Sequence, residues 1–370
     1  MKKVLVFIFT ILCCFQLTAQ NWNSAVVISS GTANATNAST EIDGSGNAVA
    51  IWIEGGIIFA SNRSFSGGTW TSPTPISGTG ASAPQLVVAA NGNATAVWIQ
   101  SNVVLSATQP FGGSWGSATT LSLTGATTPQ IAIDPNGDLV AIWARSGAIE
   151  SATHVFGGSW PLPGAVDVLA TTNSDLPQIE IGNDNLTVVA VWHTSANAIV
   201  SKNKLLGGSW GSPTTIGTGS YPQVAVSSTG DAAAVWFQFS LTGSSFSGVS
   251  LASNALPSGA SWSANSVSLV QPTFENGLTN PANLVSRIAF DGSGNLLAVW
   301  SNSFDGATFS IQSSLSMDLG NTWTNPPQDQ VLDNLYAFSL DLDVDSLGDA
   351  FTAYVIFLII YHYLNYHFSS

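Results

Sequence analysis

Charge is what this sequence has least of. Charged residues make up 8% of the 370 positions, against roughly 25% in ordinary soluble domains. Lys and Arg together number 7 and Asp and Glu 21, a formal net charge of −14 at pH 7. So acidic a surface suits neither nucleic acid nor anionic lipid, and neither is expected as a partner. Cysteine is nearly missing too: the chain has 2, Cys13 and Cys14, both in its apolar beginning. Downstream of them, disulfides and thiolate metal sites are excluded. No stretch carries a sustained helical period, and no phosphate loop or nucleophile elbow appears. A helical enzyme, a nucleotide-binding domain and a disulfide-stapled module are thereby set aside.

Residues 1–20 read as a secretory signal. Lys2 and Lys3 form its basic start, Val4 to Phe15 its apolar stretch, and Leu-Thr-Ala at 17–19 its cleavage site. A lipoprotein signal using Cys13 or Cys14 is the less favoured alternative, because the residues just before them are bulky. Without Lys2 and Lys3, 5 basic residues face 21 acidic ones, a net charge near −16. Asn, Ser, Thr and Gly then supply the wet surface, which suits an exported protein: extracellular, on the cell surface or in the periplasm.

What the chain has in plenty is tryptophan, 13 residues in two alternating series. Trp22, Trp70, Trp115, Trp160, Trp210, Trp262 and Trp323 follow small residues, as in FGGSW at 111–115 and 156–160. Trp52, Trp98, Trp143, Trp192, Trp236 and Trp300 end short apolar runs, and Tyr354 continues that series. The spacing is 44 to 50 residues over most of the chain and stretches to 64 near the end. Each unit holds four β-prone segments between turns; from Trp115 these are 116–122, PQIAID (129–134), DLVAIWAR (138–145) and AIESATHVF (148–156). Nine residues before all the strand aromatics but Trp192, whose copy carries an extra residue, stand Asp43, Ala89, Asp134, Ser227, Asp291 and Asp345, each opening a Gly-bearing turn. Asp or Ser there is expected to cap the turn while Gly takes the positive φ.

Runs such as AVAIW, ATAVW and AAAVW are apolar on both faces, as in a strand buried between two neighbouring sheets. Four-stranded antiparallel sheets at this period define an all-β fold, a β-propeller of seven blades, with six as the alternative. A linear β-solenoid is the competing architecture. The propeller is expected to fill residues 21–357 as one domain and one monomer, with NWNSAVVI at 21–28 completing the last sheet. Residues 358–370 form an atypical hydrophobic and aromatic tail, either a native last strand or a truncated or frame-shifted end. Its apolar core is too short for a comfortable membrane span.

One turn is more complete than the rest. SMDLGNTW at 316–323 matches S-x-D-x-G-x-T-W through Ser316, Asp318, Gly320, Thr322 and Trp323. It resembles the Asp-box (BNR) repeat of sialidase-type β-propeller proteins of bacteria. The resemblance implies a structural role for these five residues, with the Asp accepting turn hydrogen bonds and the Trp packing between blades. Neither Asp318 nor DLDVDSLGD at 341–349 reads as a calcium site, since the latter lacks the glycine placement and closing Glu of a calcium loop. No metal and no cofactor is expected.

Strands alternate in direction, so the first turn of each unit and the Trp turn share one face, and variable loops crowd the other. The long loops 237–248, 271–286 and 301–308 put Phe239, Phe246, Phe274, Glu275, Asn276 and Asp305 on that second face as candidate ligand residues. A second candidate is the mouth of the ring. Gln85, Gln130, Gln178 and Gln223 open four first strands, with Arg287 in the same register, and Glu54 and Arg145 follow a strand Trp by two. Gln100, Gln238 and Asn302 share that last position.

Sialidase chemistry needs three convergent arginines, and the chain's three, Arg63, Arg145 and Arg287, are split between the two faces. A different glycosidase needs paired carboxylates, for which Glu54, Glu275 and Asp305 are the available groups. His154 and His193 lack metal-ligand spacing and read as structural. The expected function is non-catalytic binding of a glycan or protein, with a glycan-cleaving enzyme and a structural surface protein as alternatives.

Overall fold

A computed structural model describes residues 26–31, 33–184, 186–242, 245–269, 285–303, 309–324, 328–332, 337–344, 350–356 and 363–366. Every regular element among them is a β-strand. The strands form seven antiparallel sheets in chain order, spanning 35–75, 82–120, 126–170, 174–218, 220–268, 286–332 and 337–366. The first six have four strands and the seventh has three, each paired in sequence order as a meander. In the third sheet the strands Ala126–Ile133, Leu139–Arg145 and Ala148–His154 match the segments expected from sequence, and Asp167–Ala170 closes it. The segment 116–122 supplies the two-residue strand Thr119–Thr120 that edges the second sheet. Edges this short offer little to a foreign strand.

Consecutive sheets stack first strand on first strand, as in a propeller. Among the described residues the seventh sheet has no broad packing against the first. The closing strand expected at 21–28 is not seen: 21–25 lie outside the described residues, and Val26 and Val27 are exposed and unpaired in any strand. The third strand of the last sheet is instead Tyr363–Tyr366, from the segment set apart as a tail.

The cores lie between sheets, and tryptophan explains their positions. Trp98 packs with Val49, Ile51 and Ile58 of the first sheet, and Trp192 with Val140 and Ile142 of the third. Trp236 meets Val189 and Val191 of the fourth, and Trp300 meets Ala233 and Val235 of the fifth. Each strand Trp thus faces the sheet before it, and the alanines beside it let that sheet approach. The turn tryptophans Trp115, Trp160, Trp210, Trp262 and Trp323 edge the same clusters. Trp115 is therefore an inter-sheet wedge, with burial worth about 2–3 kcal/mol. Two of these indoles also donate across the gap, Trp210 Nε1 to Ser151 Oγ at 3.1 Å and Trp323 Nε1 to Ser253 Oγ at 3.0 Å. Lys204, buried in the fourth sheet, reaches Thr153 of the third at 2.8 Å and lies over Trp210.

The lower face is knitted by its turns. Asp43 accepts from Ser45 and Asn47 N–H, Asp134 from Asp138, Ser227 Oγ from Asp231 and Asp291 from Ser293 and Asn295. Gly46 and Gly137 take φ of 81° and 94°, the left-handed turn residue those sequences require. The last residue of this turn then holds the Trp turn beside it. Asn47 Oδ1 accepts from Phe65 N–H at 3.0 Å, Asn93 from Phe111 at 2.9 Å, and Asp138 and Asp231 bind the equivalent amides of Phe156 and Ser258. Both turn families therefore share one face, as their alternation predicts. In the FGGSW and LGGSW turns the hydroxyl does not cap: Ser114, Ser159 and Ser209 are exposed and make no hydrogen bond among the described residues. The amide of the second glycine already donates to the carbonyl three residues back, as Gly113 does to Pro110 at 2.8 Å.

The SMDLGNTW turn is bonded more fully. Asp318 accepts from Ser316 Oγ, Thr322 N–H and Thr322 Oγ1 at 2.9, 2.8 and 2.7 Å, while Ser316 Oγ accepts from Gly320 N–H at 2.8 Å. These bonds, Thr322 foremost, hold the Asp318 carboxyl below the usual range. Its oxygens are spent on the turn.

Candidate functional site

The upper face begins with an irregularity repeated five times. The first strands of sheets one to five each break register once, between Thr36/Ser39, Ser82/Gln85, Thr127/Gln130, Asp175/Gln178 and Ser220/Gln223. Within each bulge a non-glycine residue takes left-handed backbone: Asn37, Ala83, Thr128, Leu176 and Tyr221, with φ between 47° and 56°. For Thr, Leu and Tyr that conformation is costly, by about 1–3 kcal/mol each. Proline follows in four of the five, which fixes the chain on leaving the bulge. Bulges at a sheet rim re-aim the side chains around them.

Just past the bulges stand Gln85, Gln130, Gln178 and Gln223, opposite Val97, Ile142, Val191 and Val235. All four are half-buried, and none of their amides has a hydrogen-bond partner among the described residues. Arg287 takes the matching register opposite Val299 and donates to Ser286 O at 2.9 Å.

The polar residues two beyond the strand Trp are differently employed. Glu54 is 2% exposed and accepts from Ser30 N–H at 3.0 Å, Ala33 N–H at 3.2 Å and Trp52 Nε1 at 3.3 Å. Gln100 Oε1 accepts from Trp98 Nε1 at 3.3 Å. In the third sheet Glu150 takes the Trp143 indole at 2.9 Å and Arg145 Nε at 2.9 Å. These side chains partner buried indoles. Glu54 and Arg145 are consequently not brought together with the glutamines as one open ring.

Of the loop candidates, Phe239 is half-buried and packs with Tyr221 and Val249 on the core between sheets five and six. Phe246 lies in the strand Ser245–Leu256, opposite Leu241, and its side chain is outside the described residues. Phe274, Glu275, Asn276 and Asp305 are outside the described residues altogether. The strands Ala232–Thr242 and Ser245–Leu256 are 11 and 12 residues long, against 7 or 8 for their counterparts in the preceding sheets, so this hairpin stands above the face.

Two groups escaped sequence reasoning. His193, read as structural, pairs with Asp175: Nδ1 to Oδ1 is 2.7 Å across adjacent strands. Glu180 stands on the first strand of sheet four where sheets three and five have Ala132 and Ala225. Its side chain is half-buried among the enclosing strands. That burial pushes its carboxyl up to about 7, against the pull of the Ile181 amide. Arg63, by contrast, donates to Gly68 O at 3.2 Å beside a lower-face turn, so the three arginines do not converge. No cluster of His, Cys, Asp and Glu capable of holding a metal occurs among the described residues.

No family model matches the chain, and no curated protein sequence matches it. Solved structures do match. The BP39L lectin from Burkholderia pseudomallei superposes with a TM-score of 0.58 at 15% identity, over 89% of this chain and 97% of that one. The polysaccharide lyase Uly1 follows at 0.53 and 6% identity, over 84% and 85%. A prolyl endopeptidase gives 0.51 at 12% identity, covering 86% of this chain but 46% of its own. Together with the stacked meanders, these likenesses define a β-propeller fold. One fold shared by a lectin, a lyase and a peptidase leaves the function to the site.

Proposed function

We propose that this chain is an exported, seven-bladed propeller of Asp-box type whose upper face binds a carbohydrate without cleaving it. The observation that supports this most is the set of four half-buried amides, Gln85, Gln130, Gln178 and Gln223, at one register and without hydrogen-bond partners among the described residues. An amide offers a donor and an acceptor together, which is what a sugar hydroxyl requires. The neighbouring polar residues Glu54, Gln100 and Glu150 are committed to indoles, whereas these four amides are not. A lectin and a polysaccharide lyase among the structural neighbours agree with a carbohydrate ligand. A glycan array probed with the purified protein, followed by a product assay on each bound glycan, tests the reading. Binding without turnover supports it. Turnover of a bound glycan would make the chain an enzyme, and an empty array would remove the carbohydrate.

A further inference from the structure

A repeat protein contains its own controls, because a position required by the fold is filled alike in every unit. At the register where Asp175 faces His193, the other sheets place Thr36 opposite Ile53, Ser82 opposite Ile99, Thr127 opposite Ala144 and Ser220 opposite Phe237. A small hydroxyl residue beside an apolar one is therefore what the fold asks for. In sheet four alone of these five it is replaced by a carboxylate and an imidazole, with Asp175 61% and His193 17% exposed. Polar groups placed where neighbouring units bury Phe237 and Ala144 oppose packing, and such local conflicts mark function.

The surroundings of the pair break the repeat as well. Val191, two residues before His193, packs with Trp236 between sheets four and five, so His193 lies above that core. Gln238, two beyond Trp236, continues the facing side of sheet five. Its counterparts Glu54 and Gln100 serve the indole, but Trp236 Nε1 donates to Thr218 O at 2.8 Å instead. The Gln238 amide is thus released and has no partner among the described residues. The long hairpin that carries Gln238 walls this side of the face, and the left-handed Leu176 follows Asp175 directly.

We infer that Asp175, His193 and Gln238 form a hydroxyl-binding subsite for a neutral sugar in the upper cleft between sheets four and five. The inference rests on the carbohydrate reading above and narrows its ligand class. In the tautomer whose Nδ1–H donates to the carboxylate, Nε2 is left as an acceptor. Asp175 Oδ2 is a second acceptor, and Gln238 adds a donor. Two adjacent acceptors fit vicinal hydroxyl groups. The carboxylate, in a chain of net charge −14, repels uronic and sialic acids.

His193→Ile restores the residue type of the neighbouring sheets, so it separates function from folding. Calorimetry with neutral hexasaccharides of glucose, mannose and galactose, and with galacturonic acid oligomers, is run on the wild type, His193→Ile and Asp175→Asn. The expected result is binding of a neutral oligosaccharide, weakened at least about tenfold in both variants, with His193→Ile melting no earlier than wild type. Wild-type affinity in both variants would overturn the subsite while leaving the carbohydrate reading intact. Preference for the galacturonic acid oligomers would do the same. Loss of binding with early melting in His193→Ile would also overturn it, since the pair would then be structural. No binding of any oligosaccharide by the wild type would remove both readings.

Discussion

Glu180→Gln is expected to stabilise the protein at neutral and alkaline pH but not in acid. The carboxyl titrates near 4.5 in an unfolded chain and about 7 in the folded one. Below the lower value both states hold the proton and Glu180 costs nothing. Between the two values the unfolded chain releases a proton that the folded chain retains, so stability falls by about 1.4 kcal/mol per pH unit. Above pH 7 the loss is complete, with a ceiling near 3 kcal/mol. The side chain is not fully enclosed, and solvent screens part of the penalty, so about half that ceiling is expected. Gln keeps the shape and removes the ionisation. Other titratable groups on the adjoining strands, Arg145, Glu150, His154, Asp175, His193 and Tyr221, are common to both proteins and cancel in the difference. Urea unfolding at pH 4, 6 and 8 reads that difference directly. A gain of about 1–2 kcal/mol at pH 8 that vanishes at pH 4 is the predicted pattern. An equal difference at both ends, or a less stable variant at pH 8, would refute the burial of this carboxyl.

Further substitutions probe the sheet contacts and turns. Trp210→Phe, which leaves Ser151 Oγ unbonded, should cost about 1–2 kcal/mol in urea unfolding. Asn47→Ala frees Phe65 N–H, and hydrogen exchange at that amide should quicken while the strand amides stay protected. Asp318→Asn should lower the melting temperature at pH 7. Because the folded carboxyl titrates below its unfolded value, the gap to wild type should close as pH falls through the acid range.

The repeat made most of the architecture legible. Trp98, Trp143, Trp192 and Trp236 marked the centre of each sheet because a strand buried on both faces cannot hide its composition. Asp43, Asp134 and Asp291 marked the first turns because few residues cap a turn that tight. What stayed hidden depends on partners distant in sequence. The exchange between Trp210 and Ser151 joins residues 59 apart, and a serine in a strand announces nothing by itself. Glu54 read as a rim residue because spacing alone cannot show Ser30 and Ala33 folding over it. The bulges were invisible for another reason: a left-handed Thr128 or Leu176 runs against propensity. His193 looked isolated because its partner Asp175 is 18 positions earlier, on the neighbouring strand. In a repeat, departures from the repeat's own pattern were the stronger signal of a site.

Ligand binding is expected at the upper face and not at the lower one. Affinity for an array-selected oligosaccharide, measured by calorimetry, tests it most directly in two multiple variants. One replaces Gln85, Gln130, Gln178 and Gln223 with Ala; the other replaces the exposed lower-face residues Phe65, Phe111 and Phe156 with Ala. The first is expected to lose binding while still folded, and the second to bind as wild type does. Retained binding in the glutamine variant together with its loss in the phenylalanine variant would contradict that expectation.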